Sequence, residues 1–222
     1  MSQPVQVKIC GVTSAAAVAG AVRAGARYLG FNFYPPSPRC LTPETARGLM
    51  LDVPEGVAKV ALVVDPTDEA LGALLRDLPV DFVQLHGHES PARVAEIRAR
   101  FGLPIIKAVG IAEADDLNVL DRFLPVCDQI LVDAKPAKGA ALPGGNGLAF
   151  DWRLLQGRDW QRPWLLAGGL TADNVAAAIR LTGARQVDVS SGVESAPGIK
   201  DPAAMHAFVA AAQSDEGAAQ QP

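Results

Sequence analysis

The stretch VQVKICG, residues 5–11, combines the features that decide the fold of this chain. Its apolar positions 5, 7 and 9 alternate with Gln6, Lys8 and Cys10, and this period of two is typical of a β-strand with two different faces. Gly11 ends the stretch with a residue that permits a sharp turn. A buried strand with a lysine and a thiol on one face raises the question of what that face meets.

Seven further short apolar stretches follow along the chain, and alanine-rich helical segments separate them. A proline directly after each of Thr42, Ser90 and Asp201 indicates a helix start, and Gly25 and Gly183 indicate helix ends. The predicted strands cover residues 5–10, 28–33, 59–64, 82–86, 104–109, 129–134, 164–169 and 186–191. The predicted helices lie near residues 14–24, 43–51, 67–77, 90–100, 113–123, 151–156, 171–182 and 201–212.

Eight such strand–helix units predict an α/β protein with a single-domain (β/α)8 fold, the TIM barrel. A doubly wound open sheet is the alternative, and the absence of a clear break between similar units favours the closed barrel. We expect the barrel to span residues 1–213 and the polar segment 214–222 to form a flexible tail.

The composition limits the classes of partner. The chain has 222 residues and a formal net charge of −4, so we expect no nucleic acid and no anionic membrane as partners, and an anionic ligand would need a local site. The sequence has no long apolar run and no secretory signal, and its three cysteines form no metal-ligand cluster with histidine. These features predict a cytoplasmic protein with free thiols, no membrane segment and no metal.

Polar side chains late in several strands form the candidate site, because the carboxyl ends of barrel strands carry the chemistry. Solvated residues at loop entries are the alternative, and their recurrence on different strands favours a site. The alternation places on the interior face Lys8, Cys10, Gln84, His86, Asp133, Asp188 and Ser190. In strand 5, Lys107 sits between Ile106 and Ala108.

Lys8 lies two residues before Cys10 on the same face of strand 1. A nearby cation favours the thiolate, so we expect a pKa of Cys10 below the usual value of about 8.5. A buried pair of Lys8 with an acid such as Asp188 is the other interpretation of this lysine, and both can hold together.

Two glycine-rich segments, AGGL (167–170) and DVSSGVES (188–195), follow strands 7 and 8, where barrels of this class commonly bind phosphate. Their glycines permit close backbone approach, and their N–H groups and hydroxyls can bind an anion. The predicted phosphate-binding residues are Gly168, Gly169, Ser190, Ser191 and Gly192.

Two further loops bear on the site. The loop at 134–147 is long enough to be a lid, with a floppy insertion as the alternative, and its GGNG segment lacks the Lys-Ser/Thr ending of a P-loop. Arg39, in the proline-rich loop YPPSPRCL (34–41), suits a carboxylate ligand. A solvated surface arginine is the alternative for Arg39.

The chain resembles the phosphoribosylanthranilate isomerase family over nearly its whole length. The resemblance rests on VKICGVT (7–13), GFNFYPPSPR (30–39), VQLHG (83–87), IKAVG (106–110), LVDA (131–134), GGNG…FDW (144–152), LAGGLTADNV (166–175) and VDVSSGVESAPGIKD (187–201). It implies an Amadori rearrangement in tryptophan biosynthesis, with a phosphorylated sugar bearing anthranilate as the small-molecule substrate, no cofactor, and a monomer or homodimer as the assembly.

The same resemblance implies roles for individual residues. Cys10 matches the general base, Asp133 the general acid and Arg39 the arginine that holds the anthranilate carboxylate, while the two glycine-rich loops match the phosphate cradle. Cys40 stands where the family usually has an aromatic residue, and Asn146 stands where serine or threonine is common. We also expect the substrate to contact Lys8, His86 and Asp188.

Two other functions stay open at this point. A Schiff-base aldolase would use Lys107 or Lys8 as its nucleophile, and borohydride trapping with a sugar phosphate would detect the adduct. A non-catalytic phosphate-binding barrel would show no turnover.

Overall fold

A computed structural model describes residues 4–135, 144, 147 and 149–214, and its eight parallel strands form the closed barrel that the sequence predicts. The strands pair in chain order, and the eighth pairs with the first to complete the ring. The predicted (β/α)8 class and the single domain are therefore confirmed. Among the described residues, no helix combines the length and apolar character needed to cross a membrane.

The strands of the barrel are β1 Gln6–Cys10, β2 Tyr28–Asn32, β3 Ala58–Val63, β4 Phe82–Leu85, β5 Ile105–Ile111, β6 Gln129–Ala134, β7 Trp164–Leu166 and β8 Gln186–Val189. The helices are α1 Ala15–Ala24, α2 Pro43–Leu51, α3 Asp68–Asp77, α4 Pro91–Phe101, α5 Asp116–Asp121, α6 Val175–Thr182 and α7 Pro202–Gln213. The remaining elements are 3-10 turns at Trp152–Leu155 and Ser191–Val193 and a hairpin of β9 Glu194–Ala196 with β10 Ile199–Lys200.

The helix boundaries follow from local side-chain chemistry. The side chains of Thr42, Ser90 and Asp201 accept hydrogen bonds from backbone N–H groups in the first turns of α2, α4 and α7, so each acts as an N-cap. Gly25 and Gly183 end α1 and α6 in the left-handed region that favours glycine.

The largest departures from the predicted boundaries lie around β7. This strand ends at Leu166, before the predicted 169, because Gly168 and Gly169 adopt φ angles of 83° and 65° that a strand does not accommodate. The side chain of Asn174 accepts a hydrogen bond from the Thr171 N–H and donates one to the Gly169 carbonyl. These bonds hold the intervening residues in a turn, so α6 starts at Val175 and not at 171.

Apolar side chains fill both sides of the barrel wall. A large core between strands and helices includes Val7, Ile9, Leu29 and Phe31. A smaller core inside the barrel consists of Val60, Ile106, Ala108, Leu131, Leu165 and Ala167. Apolar side chains therefore fill much of the barrel interior.

Two expectations fall largely outside the described residues. The predicted lid at 134–147 is described only at Ala134, Lys135, Gly144 and Gly147, and Asn146 is not among them. The predicted tail is described only at Ser214.

Candidate active site

The ion pair of Lys8 and Asp188 lies at the base of the candidate site. Their Cα atoms are register partners in the β1–β8 ladder, and Nζ of Lys8 lies 2.7 Å from Oδ1 of Asp188. Burial lowers the pKa of Lys8, but the charge and hydrogen bond of Asp188 outweigh it and raise the pKa above its usual value. Lys8 is therefore a fully buried ammonium group.

Cys10 ends β1 above this pair. A Cβ atom on Gly30, the neighbour of Cys10 on β2, would lie 2.8 Å from Sγ and 3.2 Å from the Lys8 ammonium, so glycine leaves the room that both groups occupy. Burial raises the pKa of the Cys10 thiol, and the charge of Lys8 only partly opposes this. The predicted low pKa was therefore wrong, because removal of water disfavours the thiolate and Asp188 offsets the charge of Lys8.

Asp133 stands near the end of β6, with β7 and β8 between it and β1. Its Oδ1 accepts a hydrogen bond of 2.8 Å from the Ala134 N–H. Its Oδ2 lies 3.4 Å from Nε2 of His86, and the other ring nitrogen of His86 lies 2.9 Å from the amide nitrogen of Gln84. The carboxyl group is thus fixed on one oxygen by the backbone and faces the histidine with the other.

Arg39 does not stand free above the mouth. Its Nε and Nη2 atoms donate to the two oxygens of Glu194 at 2.7 and 2.8 Å, and its side chain is buried. A Cβ atom on Gly11 would lie 2.5 Å from Cδ of Arg39, and Gly11 has a φ of 78°. Gly11 therefore both turns the chain away from β1 and admits the arginine side chain beside Cys10.

Two adjoining cavities open at this end of the barrel, and Asp133, Gly144, Asp188 and Ser190 line both of them. The first, the glycine compartment, measures about 450 Å³ and is also lined by Ala134, Gly147, Ala167, Gly168, Gly169, Leu170, Val189, Ser191 and Gly192. The second, the cysteine compartment, measures about 470 Å³ and is also lined by Cys10, Asn32, Tyr34, Ser37, Arg39, Leu62, Val64 and His86. Nearly all candidate residues therefore meet at one place.

The glycine compartment contains all five residues that the sequence assigns to phosphate binding. The positive φ angles of Gly168 and Gly169 form its β7 side, and the 3-10 turn that starts at Ser191 forms its β8 side. A Cβ atom on Gly168 would lie 2.7 Å from the Ala134 nitrogen, so the β6 and β7 loops are in close contact there. The compartment is lined by backbone and small side chains, which suits an anion bound by N–H groups.

Lys107 and Lys8, the candidate nucleophiles of a Schiff-base reaction, differ from the other candidate residues in their surroundings. Lys107 points out of the barrel, because its neighbours Ile106 and Ala108 fill the interior, and its Nζ lies 2.7 Å from Oε2 of Glu89. Lys8 faces the interior but has no exposed surface. Neither lysine is presented as a free amine, so the geometry gives no support to a Schiff-base reaction.

Sequence reasoning missed two charged residues of the site, Glu194 and Lys200. Lys200 donates to Glu194 at 2.6 Å and to the carbonyl of Ser190 at 3.0 Å. Both belong to the β9–β10 hairpin, whose short strands gave no recognisable pattern. The acid and the lysine six residues apart in ESAPGIK were the available signal. Among the described residues, no group of three or more His, Cys, Asp or Glu side chains is arranged to hold a metal ion.

Comparison with known proteins gives one consistent result. Residues 7–211 match the family model described as N-(5'phosphoribosyl)anthranilate (PRA) isomerase. The N-(5'-phosphoribosyl)anthranilate isomerase of Paracoccus denitrificans (strain Pd 1222) is 62% identical over 208 residues, which is 94% of this chain and 97% of that protein. The corresponding protein of Ruegeria sp. (strain TM1040) is 58% identical over 210 residues, with coverages of 94% and 98%.

A solved structure shows the same likeness. The crystal structure of phosphoribosyl anthranilate isomerase from Thermotoga maritima has a TM-score of 0.86 and 35% identity, and it covers 95% of this chain and 99% of its own. A phosphoribosyl anthranilate isomerase in complex with reduced 1-(o-carboxyphenylamino)-1-deoxyribulose 5-phosphate has a TM-score of 0.83 and 34% identity, with the same coverages.

Proposed function

The chain belongs to the N-(5'-phosphoribosyl)anthranilate isomerase family, and we propose that Asp133 and Cys10 catalyse its reaction as general acid and general base. The reaction converts N-(5-phosphoribosyl)anthranilate to 1-(2-carboxyphenylamino)-1-deoxyribulose 5-phosphate and serves tryptophan biosynthesis. The observation that carries this assignment is that both side chains line one cavity, one from each side of the barrel mouth.

The acid opens the ribose ring in the first step. Asp133 donates its proton to the ring oxygen while the bond from that oxygen to C1 breaks, and the nitrogen lone pair forms a C=N bond, which gives an iminium ion. The Ala134 N–H occupies Oδ1, so Oδ2 is the oxygen that faces the cavity beside His86. We assign the transferred proton to Oδ2, and His86 holds the carboxyl group in place.

The base acts in the second step. The Cys10 thiolate removes the proton from C2, and the released electron pair forms the C1=C2 bond and neutralises the iminium nitrogen. The resulting enaminol then tautomerises to the ketone. Burial disfavours this thiolate, and two positive charges favour it: the Lys8 ammonium beneath Cys10 and the iminium ion that the first step creates. Because Lys8 has no exposed surface, we propose that it acts through the thiol, in place of the substrate contact expected from the sequence.

The two compartments fit the two anionic ends of the substrate. We place the phosphate in the glycine compartment, against the loops of Gly168, Gly169 and Ser191, and the anthranilate carboxylate beside Arg39 in the cysteine compartment. Asp188 lines both cavities and lies where the sugar would join the two ends. No cofactor or metal enters this scheme.

A coupled assay tests the acid assignment. Anthranilate and phosphoribosyl pyrophosphate are supplied with the preceding transferase, and the loss of phosphoribosylanthranilate fluorescence is followed. Asp133→Asn should lower kcat by at least about a hundredfold, the low end of acid–base contributions, while the product still binds. Asp81→Asn, at the opposite end of the barrel, is the matched control and should keep its activity. Activity of Asp133→Asn within a few-fold of the wild type would remove Asp133 from the mechanism.

We place the protein in the cytoplasm, in keeping with three cysteines that are free thiols. We also propose that the protein is a monomer or a homodimer, and sedimentation equilibrium measures this oligomeric state directly.

A further inference from the structure

Glu194 is a buried carboxylate with every oxygen in use. Its side chain is 4% exposed, and it accepts hydrogen bonds from Arg39 on both oxygens, from Lys200 at 2.6 Å and from the Gly198 N–H at 3.2 Å. Burial raises its pKa, but the hydrogen bonds from Arg39 and Lys200 outweigh this and lower it below the usual value. Glu194 is therefore ionised and stands between two cations.

The geometry of this contact determines which donors Arg39 can offer to a ligand. A guanidinium group has five N–H donors, arranged as a side-on fork of Nε and Nη2 and an end-on fork of Nη1 and Nη2. Glu194 occupies the side-on fork. The N–H groups of Nη1 and the second N–H of Nη2, which form the end-on fork, have no acceptor among the described residues, and Arg39 lines the cysteine compartment.

The second cation connects Glu194 to the other compartment. Lys200 is buried and donates to the carbonyl and hydroxyl oxygens of Ser190 at 3.0 and 3.3 Å. The Ser190 hydroxyl in turn donates to the Cys10 carbonyl at 3.0 Å. One chain of hydrogen bonds thus runs from the arginine to the loop after β8 and to the backbone of the base.

We propose that Glu194 is a positioning residue that orients Arg39, so that its end-on fork receives the aromatic carboxylate of the substrate, while Lys200 holds the loop that receives the phosphate. This inference rests on the proposed roles of Arg39 and the glycine compartment. The two cations and Glu194 carry a net charge of +1, which complements an anionic ligand. Glu194 thereby fixes the carboxylate site relative to the phosphate site.

The test compares Glu194→Gln with Arg39→Ala, using anthranilate and inorganic phosphate as separate binding probes. Glutamine keeps the size of the side chain but has one acceptor oxygen, so it cannot occupy the side-on fork. Glu194→Gln should weaken anthranilate binding and raise KM by about tenfold or more, while kcat changes by less than about threefold. Phosphate affinity should change by less than about twofold.

Two further variants make the test specific. Asp128→Asn removes an equivalent two-point contact with Arg98 on the outside of the barrel and should change neither affinity. Lys200→Met keeps the contact between Arg39 and Glu194 and should weaken phosphate more than anthranilate. Circular dichroism and melting curves establish that each variant is folded. If Glu194→Gln does not fold, Glu194→Asp, whose carboxylate is set back by one methylene, should weaken anthranilate by at least about threefold.

The outcomes separate this inference from the proposed function. Wild-type anthranilate affinity in folded Glu194→Gln or Glu194→Asp, together with a loss in Arg39→Ala, would overturn the role of Glu194 alone. No loss in Arg39→Ala would overturn the assignment of Arg39 and this inference with it. Equal losses for both probes in Glu194→Gln would show a general structural role and would also overturn the proposal.

Discussion

Lys8 and Lys107 are both buried and each lies 2.7 Å from a carboxylate, but they stand on opposite sides of the barrel wall. Lys8 faces the interior, with Asp188 across the ladder and Cys10 next to it. Lys107 faces the helices, where Glu89 and the carbonyl of Gly87 accept its hydrogen bonds. The same kind of buried ion pair therefore has different consequences, depending on whether a reactive group is its neighbour.

The outer pair fixes a loop. Besides Lys107, Glu89 accepts hydrogen bonds from the backbone N–H groups of Asp65 and Gly87, which join the loops after β3 and β4. Asp65 adopts a φ of 44°, a left-handed conformation that a non-glycine residue rarely adopts and that these contacts maintain. These contacts of Glu89 hold the loop just after His86, so their contribution to the site is indirect.

The largest expected effect is the loss of stability when either ion pair is broken. Lys8→Met and Lys107→Met should each lower the free energy of unfolding by about 3–5 kcal/mol, because each leaves a carboxylate buried without its cation. Urea denaturation at neutral pH measures both values. A loss below about 1 kcal/mol for either variant would contradict the view that its ion pair is a buried one.

The second prediction separates the two pairs by pH. In the proposed mechanism the thiolate is the active form of Cys10. Removal of the Lys8 charge should raise the pKa of this thiol further, so the acidic limb of kcat/KM should move to higher pH by about one unit. At a fixed pH within the acidic limb, Lys8→Met should therefore have a lower kcat/KM than the wild type. Lys107→Met is the matched control and should keep the wild-type limb. A shift of equal size in both variants would assign the effect to stability.

The third prediction extends the comparison to an anion. Inorganic phosphate at five times its dissociation constant should stabilise the wild type and Lys107→Met by about 1 kcal/mol. Gly169→Val should lose this protection, because valine is strained at the φ of 65° that shapes the glycine compartment. Thermal melts of each variant with and without phosphate provide the measurement. Full protection of Gly169→Val would place the phosphate elsewhere.

The smallest effect on stability is expected for an ion pair that is partly exposed to solvent. Lys59 lies 2.8 Å from Asp81, whose side chain is 44% exposed, at the opposite end of the barrel. Lys59→Met should change the free energy of unfolding by less than about 1 kcal/mol, because water screens the pair, and should leave kcat unchanged. A loss comparable to that of Lys107→Met would remove burial as the explanation of the difference.

The fold was predictable because the alternation of residues along the strands shows which side chains lie on each of the two faces. Alternation in VQVKIC placed Lys8 and Cys10 together, and the glycine pair placed the predicted phosphate loop. Lys107 was a candidate nucleophile of the aldolase alternative, but Ile106 and Ala108 take the interior positions of β5 and Lys107 faces outward.

The protonation of Cys10 was not predictable from its neighbour in sequence. Spacing gives the cation at Lys8, but the burial that outweighs it and the Asp188 that offsets it come from the closed barrel. The partner of Arg39 was hidden for a similar reason, since 155 residues separate it from Glu194. Contacts of that kind depend on how loops from distant strands meet above the barrel.

The role of Cys10 as the base is tested most directly by alkylation, followed by peptide mapping and activity on the same samples. Cys127, whose pKa is raised by burial to about 11, and Cys40, which is also mapped, serve as internal references. We predict that activity falls in proportion to the modification of Cys10, that the reaction product slows both losses, and that Cys10→Ser lowers kcat by orders of magnitude while it still binds product. Full activity with Cys10 quantitatively alkylated would contradict the account.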